Sequence, residues 1–406
     1  MISQRADLTF KYNLKHGRHA WLRLTPAYSV KIVEQILTEH PTVGHVLDPF
    51  AGTGTTGLVC GQFGYRCDLV DLNPFLVWLT RVKTANYEPN VLLQAQKRTR
   101  DIYLRVADCI PSTADLWVPP IHNPTRWWPE NRLPVLARIY REICQTCCEA
   151  SPAKDLLLVA FCHLLIHWSN AAFNHQSISF KTNGGGQLSL LDEAQEIARS
   201  FVEVTQTVLT AAQEQIKGKV FVIQADSRYV PQPADHLYDC VITSPPYPNR
   251  MSYIRELRPY MYWLGYLKEA SEAGEMDWQA IGGTWGVATS RLERWQPGGE
   301  VIAYPGFEKV ITEIASQSPV LANYVHKYFT DVLKHLRSLP PTLSRGARVF
   351  YVVGNSKFYD TLVPVESIYG SLLRQCGFGD VKIEVLRKRN SKKELLEYVV
   401  SARKLC

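Results

Sequence analysis

The chain has 406 residues, enough for one large core with a sizeable insertion or for two domains. Its 45 Lys and Arg against 38 Asp and Glu leave a formal charge of +7, compatible with a polyanionic partner. No apolar run is long enough to span a membrane and the first residues lack the apolar core of a signal peptide, so a cytoplasmic protein without membrane contact is expected.

In chain order, the basic and aromatic stretch from Lys15 to Ser29, which contains Thr25 and Pro26, precedes a predicted helix carrying Val30, Val33, Ile36 and Leu37 on one face. Val43 to Leu47 reads as a first strand. It runs into Asp48-Pro49-Phe50-Ala51-Gly52-Thr53-Gly54, a glycine-rich turn that opens a helix from Thr55 to Gln62. Glycine is needed at 52 and 54 because a ligand must approach the backbone there, where side chains would block it. Arg66 to Asp71 forms the second strand, ending in Asp71-Leu72-Asn73. A carboxylate at this distance from such a turn can hold the two hydroxyls of a ribose. The absence of a Lys-Ser/Thr ending argues against a phosphate-binding P-loop.

The segment from about Ala85 to Lys219 exceeds what a minimal doubly wound fold requires. Its spacing predicts helices over Leu133 to Ala150, Ala153 to Trp168 and Leu190 to Ile216, separated by a Pro-rich break near 119–124 and a Gly-rich one near 181–186. Between two of them, Trp168 to Lys181 gathers amide, hydroxyl, imidazole and aromatic groups. Asn174, His175 and Lys181 there can read base edges or phosphates, or the loop is a polar strap on the core. Cys144, Cys147 and Cys148 cluster on a predicted helix, but no second ligand pair stands at zinc-like spacing, so no metal site is expected. The ten cysteines are otherwise scattered, and reduced thiols are expected.

Val220 to Arg228 reads as the next strand with an acidic exit at Asp226-Ser227, and Tyr238 to Thr243 as a fourth strand. That strand delivers Ser244-Pro245-Pro246-Tyr247. Two prolines fix consecutive φ angles and bias the residue before each toward extended backbone, so Ser244 and its neighbouring carbonyls are held nearly rigid. A hydroxyl and the Pro245 carbonyl can accept hydrogen bonds from an NH2 group, while Tyr247 offers a face for stacking a ring. The implied substrate is an amino group on a planar base. The following residues interleave cations and rings, with Arg250, Tyr253 and Arg255 as candidate contacts to nucleic acid and most of the other rings expected in the core. Ala280 to Arg291, a Gly-rich loop bearing Trp285, is expected to be mobile and able to close over a nucleic acid. Tyr324 to Leu339 and Val363 to Cys376 read as helices. Arg348 to Asn355 reads as a fifth strand, and Val381 to Leu386 with Glu397 to Ala402 as a terminal hairpin with the basic tip Arg387 to Lys393.

Phe50-Ala51-Gly52-Thr53-Gly54 and Ser244-Pro245-Pro246-Tyr247 together resemble the Phe-x-Gly-x-Gly and Ser/Asp/Asn-Pro-Pro-Tyr/Phe signatures of the amino-methylating DNA methyltransferases. The serine version is most similar to the cytosine-N4 enzymes of restriction-modification systems. The resemblance covers roughly residues 15 to 87 and 220 to 400. It implies a Rossmann-like α/β fold, a doubly wound and mostly parallel seven-stranded sheet, here with a largely helical insertion. It implies S-adenosylmethionine as methyl donor, held by Thr25, Pro26, Asp48 to Gly54, Asp71 to Asn73, Asp226 and Ser227, with Thr25 and Pro26 at the methionine end and Asp226 on the adenine amine. It also implies double-stranded DNA as substrate, a flipped-out target base and a cognate restriction endonuclease as partner. No proline precedes a cysteine anywhere in the chain, which argues against ring-carbon methylation through a cysteine nucleophile. Adenine-N6 methylation, an RNA amino-methyltransferase and a non-catalytic DNA-binding subunit stay open.

The expected organisation is a cofactor-binding half over 1–87, the helical insertion over 88–219 and a catalytic half over 220–406. The order of motifs matches the subgroup that places its target-recognition region between them. The extra segment departs from that pattern by lying before the Asp226 strand rather than directly before the Ser244 strand. Residues 268–318 are therefore a second candidate for contact with DNA. Recognition sequence and oligomeric state are not legible in the chain.

Overall fold

The computed structural model describes residues 3–24, 27–41, 44–107, 116–146, 150–172, 179–180, 190–284, 287–389 and 394–405. Its frame is a sheet of seven strands: β1 (His45–Asp48), β2 (Arg66–Asp71), β3 (Val220–Gln224), β4 (Tyr238–Thr243), β5 (Leu343–Gly354), β6 (Phe378–Lys388) and β7 (Leu396–Lys404). In space they run β3-β2-β1-β4-β5-β7-β6. The pairings among β3, β2, β1, β4 and β5 are parallel, and β7 enters antiparallel between β5 and β6. This is the doubly wound, Rossmann-like arrangement of class I methyltransferases. Strand order reverses between β1 and β4, so the loops leaving these two strands open a crevice at the carboxyl edge of the sheet.

Alternate strand residues point to opposite faces. Val46, Cys240, Ile242 and Val352 enter one core with α1 (Val30–Glu39) and α2 (Thr55–Phe63). Leu47, Val241, Val349, Tyr351 and Val353 enter the other. There they meet α12 (Pro319–Ser338) and α13 (Val365–Gln375). Helix α3 (Pro74–Thr84) starts on an Asn73 side chain that accepts from the Phe75 amide, with proline at its first position.

Helices α4 (Pro89–Val106), α5 (Leu133–Thr146), α6 (Pro152–His167) and α7 (Leu190–Ala212) build the extra segment, with a two-residue hairpin of Ala171–Ala172 and Ser179–Phe180. Its core is shared with α3 and with α8 (Tyr253–Trp263) rather than closed on itself. Trp263 of α8 is fully buried, with the rings of Trp117, Trp128, Tyr140 and Phe161 packed around it at steep angles. The loop after β4 is thus anchored, one helix later, in the middle of the helical layer.

Several boundaries differ from the sequence expectation. Helix α7 stops at Ala212, not Ile216, because the buried Arg18 guanidinium takes the carbonyls of Ala211, Ala212 and Glu214. Helix α12 begins at Pro319, five residues early, on a Ser318 cap. Where a loop was expected through Arg291, Val287–Arg294 forms α10, with Ala288 and Leu292 buried one turn apart. Helices α9 (Ala270–Gln279) and α11 (Phe307–Ala315) flank it. Among the described residues no helix is long and apolar enough to cross a membrane, and no group of three metal-ligating side chains is found.

Candidate active site

The turn after β1 is shaped by left-handed glycines, Gly52 at φ +53° and Gly54 at φ +75°. A β-carbon on Gly54 would lie 2.6 Å from Thr80 Cγ2, so α3 packs directly beneath the turn. Thr80 Oγ1 donates to the Gly52 carbonyl at 3.2 Å, and the fully buried Lys83 donates through Nζ to the Thr53 carbonyl at 2.7 Å. Burial brings the Lys83 amine down to about 7. Asp71, at the end of β2, accepts from the Gly52 amide and the Asn73 amide, both at 2.8 Å. Burial raises its carboxyl to about 6 against those two favourable amides.

Asp48 has a different place from the one expected. It is fully buried outside the cavity lining, its Oδ1 bound by Thr243 Oγ1 at 2.6 Å and by the Phe50 amide at 3.0 Å. Its Oδ2 takes the Thr56 hydroxyl. It ties β1, β4 and α2 together beneath the site.

The cavity measures about 950 Å³ with its open mouth. Pro49, Phe50, Ala51, Gly52, Thr53, Asp71, Leu72 and Asn73 line it, with Asp226 and Ser227 from beyond β3 and Ser244, Pro246 and Tyr253 from beyond β4. The glycine turn and the serine-proline loop therefore share one chamber. Gly54, Pro245, Tyr247, Arg250 and Arg255 are not among the lining residues. Thr25, Pro26, Asn174, His175, Lys181 and Trp285 lie outside the described residues.

Asp226 reaches the cavity already engaged: Arg228 Nη2 meets its Oδ2 at 2.6 Å and Arg228 Nε reaches both oxygens. Ser227 donates to the Pro49 carbonyl, and its own carbonyl accepts from His335 Nδ1 at 2.7 Å. His335 Nε2 then accepts from the Tyr351 hydroxyl at 2.8 Å, and burial holds the imidazole neutral by lowering it to about 4.

Tyr247 was expected to present its face to the chamber. Its ring instead lies over Gly354, where a β-carbon would come within 2.9 Å of Tyr247 Cε2, and under the Arg389 guanidinium at 5.1 Å from the ring centre. The Tyr247 hydroxyl donates to Glu397 Oε1 at 3.0 Å. Ser244 Oγ lies 3.2 Å from the Val352 carbonyl and 3.4 Å from the Tyr247 oxygen. Tyr328 donates to the Pro246 carbonyl at 2.8 Å, fixing the loop from α12. Arg250 is exposed in a left-handed conformation at φ +63°, and Arg255 is half-buried with an Nε that lacks a hydrogen-bond partner among the described residues. Arg387 and Arg389, expected in the basic tip of the terminal hairpin, are turned inward onto Glu397, Tyr247 and the Asn355 carbonyl.

Several walls of the chamber lie outside the two motifs. Leu24, Ala27 and Tyr28 flank the expected Thr25 and Pro26, while Ile254, Met276, Gln279, Ala280 and Ile281 come from α8, α9 and the residues after it. Ala280 and Ile281, which open the Gly-rich stretch expected to close over a nucleic acid, line the chamber itself.

No protein-family profile matches the chain. Curated relatives align along nearly all of it. Type II methyltransferase M.AvaI of Nostoc sp. is 22% identical over 96% of this chain and 86% of its own length. Type II methyltransferase M.BsoBI of Geobacillus stearothermophilus is 22% identical over 97% and 85%. Among solved structures, TrmN from Thermus thermophilus overlaps 98% of this chain and 53% of its own at 11% identity with a TM-score of 0.31, too low to bear on the fold, which rests on strand order.

Proposed function

We propose that this chain is a DNA methyltransferase that moves a methyl group from S-adenosylmethionine to the exocyclic N4 amine of a cytosine flipped out of the duplex. One observation carries the reading: the left-handed glycine turn with Asp71 and the rigid Ser244 loop open into the same chamber at the reversal point of the sheet. Similarity to two type II methyltransferases along nearly the whole chain supports it independently.

The lining suits the donor. Asp71 keeps lone pairs beyond its two amide bonds for ribose hydroxyls, and Phe50, Leu72 and Ile281 offer apolar walls for a purine. The bound donor supplies an electrophilic methyl on a sulfonium. Ser244 accepts from the target NH2, drawing its lone pair toward that methyl, and the prolines that follow it keep this acceptor in place. Tyr253, which lines the chamber, is the ring available to a flipped base in this conformation, and Arg250 is an exposed cation for the phosphates. Burial raises the Tyr253 phenol, so it remains a neutral donor. Bringing a base out of the stack costs a few kcal/mol, which chamber contacts must offset.

Incubation with methyl-labelled donor and either duplex DNA or structured RNA tests the substrate class, and mass spectrometry of the digested nucleosides tests the base. The reading expects label in duplex DNA as N4-methylcytosine. Label in RNA alone, or N6-methyladenine without N4-methylcytosine, would overturn it.

A further inference from the structure

Beyond the chamber, the Ser244 loop is connected to a buried carboxylate that the mechanism above does not use. Glu397 sits on β7 opposite Arg387 of β6 on one side and Gly354 of β5 on the other. Its side chain is buried, Oε2 bound by Arg387 Nε at 2.6 Å and Oε1 by the Tyr247 hydroxyl at 3.0 Å. The absence of a side chain on Gly354 lets the Tyr247 ring lie across the strand to reach it. Ser244 Oγ is 3.4 Å from the same tyrosine oxygen.

An ionised carboxylate can only accept, and this property sets the direction of every hydrogen bond leading to it. Tyr247 must donate to Glu397, so toward Ser244 its oxygen is an acceptor. The other partner of Ser244, the Val352 carbonyl, is also only an acceptor. The serine proton is therefore turned toward the sheet, and lone pairs face the chamber. Burial and the neighbouring Glu397 charge raise the Tyr247 phenol well above its ordinary range, which keeps it protonated in this role.

Resting on the N4-methylation reading, we infer that Glu397 is a positioning residue that fixes Ser244 as an acceptor for the target amine and takes up the proton released on methylation through Ser244 and Tyr247. The amine nitrogen forms its bond to the methyl carbon with its own lone pair, as the sulfur–carbon bond breaks and leaves its pair on sulfur. An N–H bond of the methylated amine then breaks. Its proton passes to Ser244 Oγ as the serine proton moves to Tyr247 and the tyrosine proton to Glu397, leaving a neutral amine and a carboxylic acid that later returns its proton to solvent. Among the described residues, the charged and titratable side chains bonded to this carboxylate are Arg387 and Tyr247, and Arg389 lies over the tyrosine ring.

The test uses the full-length protein with Glu397→Gln, Glu397→Asp, Tyr247→Phe and the double variant, at saturating donor so that Asp71 does not enter the pH profile. Glu397→Gln should lower kcat by roughly 10- to 100-fold with donor KM unchanged, and should lack the acid-side fall of kcat that this inference expects of the parent. Glu397→Asp should restore part of the rate, and adding Glu397→Gln to Tyr247→Phe should cost nothing further. Binding gives a readout without turnover. The parent should hold a duplex bearing the target cytosine more tightly than one whose target base lacks the exocyclic amine, and Glu397→Gln should lose that preference.

A kcat within about twofold of the parent, a surviving acid limb, or losses that multiply in the double variant would overturn the inference. Should glutamine at 397 prevent folding, Tyr247→Phe alone decides, because it cuts the chain of bonds in the middle and must abolish the acid limb. If the parent methylates no exocyclic amine, the functional reading fails. If it does and the variants match it, this inference alone fails.

Discussion

Asp71 is an acceptor whose own titration reports on its task. Burial raises its carboxyl to about 6, so the charged form that best receives two ribose hydroxyls exists above that pH and is lost as pH falls through it. Donor affinity measured by calorimetry should therefore weaken between about pH 7 and pH 5, and Asp71→Asn should bind weakly at every pH without this dependence. A parent affinity flat across that window would remove Asp71 from the site. Ser244→Ala makes the complementary separation. It should bind donor as the parent does and lose kcat by roughly 100-fold, because the acceptor acts on the amine and not on the donor. Equal loss of donor binding and turnover would mean that Ser244 serves the cofactor.

At the scale of elements, the glycine turn is held from below by α3. Thr80 and Lys83 bond two of its carbonyls, and Thr80 also fills the space where a residue larger than glycine at 54 would sit. Gly54→Ala should combine left-handed strain with a 2.6 Å clash, cost ~2–3 kcal/mol in chemical unfolding and abolish donor binding. Retained donor affinity would show that the turn does not carry the site.

These elements also show why some of the architecture was legible in the chain and some was not. Strands β2 and β4 match their expected limits because a short apolar run bounded by a charged residue or a Pro-Pro pair has few alternatives. The first five residues of β5 and the start of α12 were missed because backbone pairing and a serine cap, rather than side-chain periodicity, set them. Tyr247 shows the limit most clearly. Its motif marks it as an aromatic at the site, yet its orientation depends on Gly354, Arg389 and Glu397, more than a hundred residues away.

For the whole molecule, Arg18 connects the amino-terminal segment to the end of α3 and the end of α7, binding carbonyls of Lys83, Ala85, Ala211, Ala212 and Glu214 from a fully buried position. By sequence alone, Arg18 is one cation of a basic loop. Arg18→Met would leave those carbonyls without their donor and should destabilise the protein by ~3 kcal/mol or more in urea unfolding, with the helical segment affected together with the sheet. A loss confined to a few tenths of a kcal/mol would mean that water replaces the guanidinium readily.

The account as a whole rests on a methyl donor lying between Asp71 and Ser244. A crystal structure with S-adenosylhomocysteine measures this directly. It should show the ribose hydroxyls on the Asp71 carboxylate and the sulfur turned toward Ser244 across the open chamber. A ligand bound elsewhere, or one whose sulfur faces away from Ser244 with the loop after β4 walled off from it, would contradict the account.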